Sequence, residues 1–287
     1  METALVVQII MNGVVLGLYY VLIASGFNLI FGIARIFNFA HGDMVMFGAY
    51  VAYAIVAQMG MYYGLGILAA VVVVALMGVI FNNYVYKPVR RMMFASFNVS
   101  LGLALALPAV ALVIFGETER KVPTVFPGTV NFLGAVVSWE RIAIIIACTL
   151  VVIALFLFVN RTRIGQAMRA VAYNPDVAAL QGIDVEKICL TAFITGAILA
   201  GLAGGLVAPL FMIRPVMGRM IMFKAMVVII LGGLGSVPGA LVGGLALGFI
   251  ESIGITLIGY EAVMIGWIIV IILLIFRPWG LLGRELA

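Results

Sequence analysis

Long apolar runs follow one another along almost the whole chain, separated by short polar or glycine-rich breaks. A helix that spans the hydrocarbon core of a bilayer needs about 20 consecutive apolar residues. The glycine-rich stretch Gly232 to Gly239 interrupts the later runs and favours one re-entrant or broken helix pair there. The pattern predicts spans at Leu5 to Phe31, Met44 to Ala57, Gly64 to Tyr84, Phe97 to Phe115, Ile142 to Val159, Cys189 to Ile213, Met220 to Leu234, Ala240 to Ile258 and Ala262 to Phe276.

Composition supports a protein that lies almost entirely in a membrane. Of the 287 residues, 66% are hydrophobic and 9% are charged, against roughly 25% charged in an ordinary soluble domain. We predict an all-α fold, a polytopic integral membrane helical bundle with about eight to ten spans and broken or re-entrant segments. Residues 1–287 would form a single transmembrane domain. The net charge of +5 does not indicate nucleic acid, because the basic residues are scattered between apolar runs.

Basic residues predict the orientation, since they favour the cytoplasmic side of a membrane. Nine crossings with the N-terminus outside and the C-terminus inside divide the 16 basic residues ten to six in favour of the inside. The inside set is Arg35, Lys87, Arg90, Arg91, Arg161, Arg163, Arg169, Lys187, Arg277 and Arg284. The outside set is Arg120, Lys121, Arg141, Arg214, Arg219 and Lys224.

Small residues recur at four-residue spacing within the spans, as in Gly13 with Gly17 and Gly244 with Gly248. This spacing lets helix backbones approach closely in a bilayer. It is typical of tight packing within one subunit and, alternatively, of an interface between subunits.

The chain offers little catalytic machinery. Its two cysteines stand apart in apolar runs and its single histidine cannot build a zinc site alone. No Gly-Lys pair is present, so a phosphate-binding P-loop is excluded. We therefore expect a non-enzyme that holds no cofactor itself.

The connection over residues 161–187 is the longest one on the predicted inner side. Ile164, Met168 and Val171 fall on one face of a short amphipathic helix. Asn174 is placed to cap a second helix that begins at Pro175 and stops at Gly182. The pair is either an anchor on lipid headgroups or a docking element for a soluble partner. Docking is favoured by the small, nearly uncharged surface of Ala178, Ala179 and Gly182.

A few polar residues in or beside spans are candidates for lining a translocation path. His41 next to Asp43 is suited to a gate or relay, or else Asp43 caps the second span and His41 faces water or a backbone carbonyl. Glu251 lies within an apolar run, where a carboxylate is by default a pathway candidate; the alternative is burial against a donor. Further candidates in the first span and the loop after it are Asn12, Tyr19, Tyr20, Asn28 and Asn38.

Four motifs, in this order, carry a resemblance to a known family. They are NFAHGDMVMFGAY (38–50), RIGQAMRAVAYN running on to AALQG (163–182), LGGLGSVPGA (231–240) and RPWGLLG (277–283). Together they resemble the branched-chain amino acid ABC importer permeases, and their order and spacing fit the H-type permease subunit. The cytoplasmic loop also resembles the coupling signature E-A-A followed by Gly, although Val177 stands at the Glu position and Gly182 comes one residue early.

The resemblance implies a permease domain in the bacterial inner membrane with a cytoplasmic coupling loop at 161–187. It implies a heterodimer with a second, related permease, two cytoplasmic ATPase subunits that bind ATP and Mg²⁺, and a periplasmic substrate-binding protein. The coupling residues would be Arg163, Gly165, Arg169, Asn174, Ala178, Ala179 and Gly182. A urea or short-chain amide ABC permease stays open as an alternative, as does an ion-coupled secondary transporter that uses Glu251, His41 and Asp43.

Overall fold

A computed structural model describes residues 2–90, 92–132 and 134–259, with 261, 268, 271–272, 275 and 280–282. Its helices coincide with eight of the predicted spans, while the ninth, Ala262 to Phe276, lies largely outside the described residues. The helices are α1 (Glu2–Ala34), α2 (His41–Tyr53), α3 (Tyr63–Ile80), α4 (Met93–Phe115), α5 (Trp139–Arg161), α6 (Arg163–Tyr173), α7 (Pro175–Leu180), α8 (Val185–Val207), α9 (Met217–Gly232) and α10 (Val237–Leu257).

Six helices among the described residues are long and apolar enough to cross a membrane: α1, α3, α4, α5, α8 and α10. The fold is thus the predicted helical membrane bundle. Helices α2 and α9 are shorter, with 13 and 16 residues. Wider π-helical turns extend α2 over Ala54–Gln58 and α3 over Phe81–Tyr86. Helix α9 ends at Gly232 and α10 begins at Val237, so the predicted glycine-rich break is confirmed.

Glycines bring the central helices into close contact. Helix α1 packs along α10, where a Cβ on Gly17 would lie 3.0 Å from the Cα of Leu245 and one on Gly244 would lie 2.8 Å from the nitrogen of Val21. Helix α8 packs against α3 and α2 in the same way, with Gly48 facing Gly201. The predicted small-residue contacts therefore serve packing within this chain.

Helices α3, α4 and α5 form the periphery and turn large apolar side chains outward. None of them carries a charged residue between its end turns, as expected of surfaces that face lipid. A hairpin that the sequence analysis did not predict precedes α5. Its strands are β1 (Thr129–Phe132) and β2 (Ala135–Ser138), paired antiparallel with Thr129 opposite Ser138.

The chain folds back on itself after α1. Arg35 adopts a left-handed backbone with φ of 55° and ends the helix, and the segment up to Ala40 returns along it. Helix α2 therefore starts beside Ile23, about 16 Å along the α1 axis from Ala34 at 1.5 Å per residue. The start of α9 meets the start of α2, because Gly218 packs against Asp43 with no room for a side chain. Two helix starts thus lie deep in the bundle.

Candidate functional site

The loop between α5 and α8 folds as its sequence predicts. The Thr162 hydroxyl accepts a hydrogen bond from the Gly165 nitrogen at 3.0 Å and caps α6. The Asn174 side chain accepts from the nitrogens of Asp176 and Val177 at 3.0 and 3.1 Å and caps α7, with Pro175 in its first turn. Gly182 takes a φ of +80° just after α7, where glycine is favoured.

The next helix has its own cap. The nitrogen of Lys187 donates to the Asp184 carboxylate at 3.1 Å at the start of α8. This hydrogen bond, with the nearby Lys187 ammonium, lowers the pKa of the exposed Asp184 carboxyl.

Two of the proposed coupling residues join this loop to α5. The Arg169 guanidinium donates to the carbonyl of Val159. Gly165 lies against the carbonyls of Phe158 and Val159, with no space for a Cβ. Arg169 and Gly165 therefore fix α6 against the C-terminal end of α5.

Three large apolar side chains of the two loop helices are exposed. Tyr173, Val177 and Leu180 are 90%, 52% and 85% exposed; we call these three residues the loop patch. Among the predicted docking residues, Arg163, Ala179 and Gly182 are exposed, whereas Ala178 is buried and supports the patch from below. Met168 and Val171 are buried as predicted, whereas Ile164, on the same predicted face, is 46% exposed.

His41 and Asp43 lie inside the bundle. The His41 Nε2 is 3.2 Å from the Ile23 carbonyl, which confirms the prediction of a backbone partner. Asp43 forms no helix cap, so the capping hypothesis is wrong; the carboxyl is instead enclosed against Gly218. The His41 Nδ1 and the Asp43 Oδ1 have no hydrogen-bond partner in the described part of the chain.

Asn28 and Asn38, two of the three asparagines of the candidate set, hold neighbouring segments in place. The Asn28 carbonyl accepts from the Gly235 nitrogen at 2.7 Å and ties α1 to the break between α9 and α10. The Asn38 carbonyl accepts from the Tyr86 hydroxyl at 2.8 Å. Both side chains are buried, and their bonds fix the two backbone breaks.

Glu251 belongs to a three-residue network that joins α1, α9 and α10. Its Oε2 accepts from the Tyr20 hydroxyl at 2.5 Å and from the Lys224 ammonium at 2.8 Å. The same ammonium donates to the Tyr20 hydroxyl at 2.6 Å. The predicted alternative of burial against a donor is thus confirmed. Lys224, which the orientation analysis counted in the outside set, lies within α9, and the predicted span Met220 to Leu234 already included it.

A cavity of about 450 Å³ opens beside this network. Tyr19 lines it and packs on Phe211, with ring centroids 5.8 Å apart. Asn12 lies elsewhere, nearer the start of α1, and accepts from Arg141 of α5.

The candidate residues of the translocation path thus lie at several separate positions along α1. Tyr19 and Glu251 meet through Tyr20, His41 and Asp43 share the start of α2, and the asparagines lie apart. The sequence analysis missed Lys224 as a partner of Glu251. The one signal available was a second charged residue within a predicted apolar run.

Comparison with known proteins gives a consistent result. Residues 9–276 match the family described as "Branched-chain amino acid transport system / permease component". The chain is 34% identical to the high-affinity branched-chain amino acid transport system permease protein BraD of Pseudomonas aeruginosa, over 97% of this chain and 96% of that protein. It is 32% identical to the corresponding LivH protein of Escherichia coli K12, over 97% and 96%. A probable LivH of Methanocaldococcus jannaschii is 31% identical over 92% and 89%. No solved structure matches.

Proposed function

Because this chain belongs to the family of branched-chain amino acid transport permease components, we propose that it carries branched-chain amino acids across the bacterial inner membrane. It acts as the membrane subunit of an ATP-binding-cassette importer. It is not an enzyme, and its partners bind and hydrolyse ATP with Mg²⁺.

The proposed assembly contains a second, related permease, two cytoplasmic ATPase subunits and a periplasmic binding protein. The N-terminus of this chain would be periplasmic and its C-terminus cytoplasmic. The substrate would pass beside the deep helix starts of α2 and α9, since irregular backbone at membrane depth is tolerated only where it is buried in protein or lines a water-filled cavity.

The loop patch is the observation that carries the coupling role. Three exposed apolar side chains on a capped, fixed helix pair form a surface suited to a protein groove. When ATP binding closes the ATPase subunits, the groove of the ATPase subunit that holds the loop patch moves α6 and α7. Gly165 and Arg169 then pass that motion to α5, and α8 follows because it begins immediately after the loop.

The test is uptake of radiolabelled L-leucine into proteoliposomes that contain the whole complex, with the binding protein outside and ATP inside. We expect uptake to require ATP and to continue when an ionophore collapses the proton and sodium gradients. Loss of uptake on ionophore addition, with the internal ATP unchanged, would contradict the proposal and favour ion coupling. Uptake of urea or acetamide in place of leucine would contradict the substrate assignment.

A further inference from the structure

The cavity beside Tyr19 combines apolar walls with a charged end. Its volume of about 450 Å³ lies within the range of small-molecule sites, roughly 300–1,000 Å³. Tyr19, Phe211, Met217, Met220 and Ile221 form the walls. Lys224 and Arg214 also line the cavity; Arg214, whose side chain is 56% exposed, lies at its rim, and Lys224, at 18%, lies deeper.

Lys224 is held so that its ammonium can take one more acceptor. An ammonium group has three N–H donors. Two of them go to Tyr20 and to the Oε2 of Glu251, and Lys224 has no further hydrogen bond within the described ranges. Its side chain is 18% exposed, and that exposed part faces the cavity.

Glu251 neutralises the charge of Lys224 when the cavity is empty. An unpaired charge inside a membrane protein is costly, and the Lys224–Glu251 pair is neutral. Glu251 is buried behind the lysine and does not line the cavity. The cavity is therefore lined by the cationic Lys224, and Glu251 balances the charge of this lysine even when no ligand is bound.

The rim carries a second cation in a fixed position. Arg214 forms an ion pair with Glu119 at 2.6 Å. The backbone next to it is pinned, because Arg120 and Ile213 exchange hydrogen bonds of 3.0 and 2.8 Å. The cavity is thus lined by two cationic side chains, Arg214 at the rim and Lys224 deeper inside.

We propose that this cavity is a substrate site in which Lys224 binds the α-carboxylate of the transported amino acid. The aliphatic side chain of the substrate packs against Tyr19, Phe211 and Ile221. Tyr20 and Glu251 are positioning residues that hold the lysine. The inference rests on the proposed function, because it takes an aliphatic amino acid to be the substrate.

The first experiment separates a binding lysine from a structural one. In the assembled complex we compare Lys224→Met, Lys224→Arg and the double variant Lys224→Met with Glu251→Gln, which leaves no unpaired buried charge. We expect the double variant to reach normal levels in the membrane. Its maximal leucine uptake rate should fall about tenfold, which is the effect expected when one hydrogen bond to a charged group is lost. Lys224→Arg keeps part of the rate, and Lys121→Met, at an exposed outer lysine, keeps all of it.

The second experiment leaves Lys224 intact, so it holds even if the variants fold poorly. A cysteine introduced by Met220→Cys lies at an exposed wall position of the cavity, while the native Cys148 and Cys189 are buried. We expect L-leucine to slow maleimide labelling of this cysteine in the purified complex, and L-leucinamide, which lacks the carboxylate, to leave the rate unchanged.

Two results would overturn the inference: full leucine uptake by the double variant, or equal protection by leucine and leucinamide. Neither would touch the proposed function, which is tested separately by ATP-dependent leucine uptake in the unmodified complex. If the unmodified complex took up no leucine, the proposed function itself would be contradicted, whatever the variants of Lys224 did.

Discussion

At the scale of single residues, the deep contact between α2 and α9 depends on glycine. A Cβ on Gly218 would collide with the Asp43 carboxyl and lie 2.8 Å from its Cα. Backbone atoms cannot give way as a flexible side chain can. The same contact encloses Asp43, one of the candidate residues of the translocation path. It therefore matters for that path as well as for stability.

We therefore predict that Gly218→Ala destabilises the protein by about 1–3 kcal/mol, the usual cost of overpacking a core. Gly102→Ala in α4 is the matched control, because a Cβ there meets nothing within 4 Å. Thermal unfolding in detergent measures both. An unchanged melting temperature for Gly218→Ala would mean that the two helix starts do not meet as described.

At the scale of helices and loops, the loop patch extends from Tyr173 at the end of α6 onto the short helix α7. Leu180→Asp places a charge in that patch while leaving the Asn174 cap untouched. We predict about tenfold loss of substrate-stimulated ATPase activity, as for loss of an interface anchor, with normal amounts of permease in the membrane. Gln166→Asp adds the same charge to an exposed position of α6 and should change the activity little. Equal activity of the two variants would contradict docking through the patch.

The sequence predicts local features of these elements well and contacts between them poorly. The Asn174–Pro175 start and the Gly182 stop follow from capping chemistry that acts within a few residues. The pairing of Lys224 with Glu251 joins two helices, and the sequence offers only two isolated charges. The depth of His41 depends on the reversal at Arg35, a non-glycine residue in a left-handed conformation that no turn motif announces.

At the scale of the whole molecule, the helices divide the surface into two kinds. Helices α3, α4 and α5 turn uncharged apolar faces outward, while the side with the cavity carries Lys224 and Arg214. Charged groups at membrane depth avoid lipid. We therefore expect the cavity side to be turned away from lipid, toward water or toward the second permease of the proposed assembly.

The orientation of the whole bundle can be tested across one helix. Thr124 lies before α5 and Gln166 lies after it, both exposed, so one crossing separates them. Cys148 and Cys189 are buried and unpaired, and replacing both with alanine gives a background without thiols. Single cysteines at Thr124 and Gln166 are then treated in intact cells with a membrane-impermeant maleimide. Because basic residues cluster around the coupling loop and favour the cytoplasm, we expect labelling at Thr124 and none at Gln166 until the cells are opened. The reverse pattern would place the loop patch in the periplasm, out of reach of any ATPase subunit, and would remove the coupling mechanism.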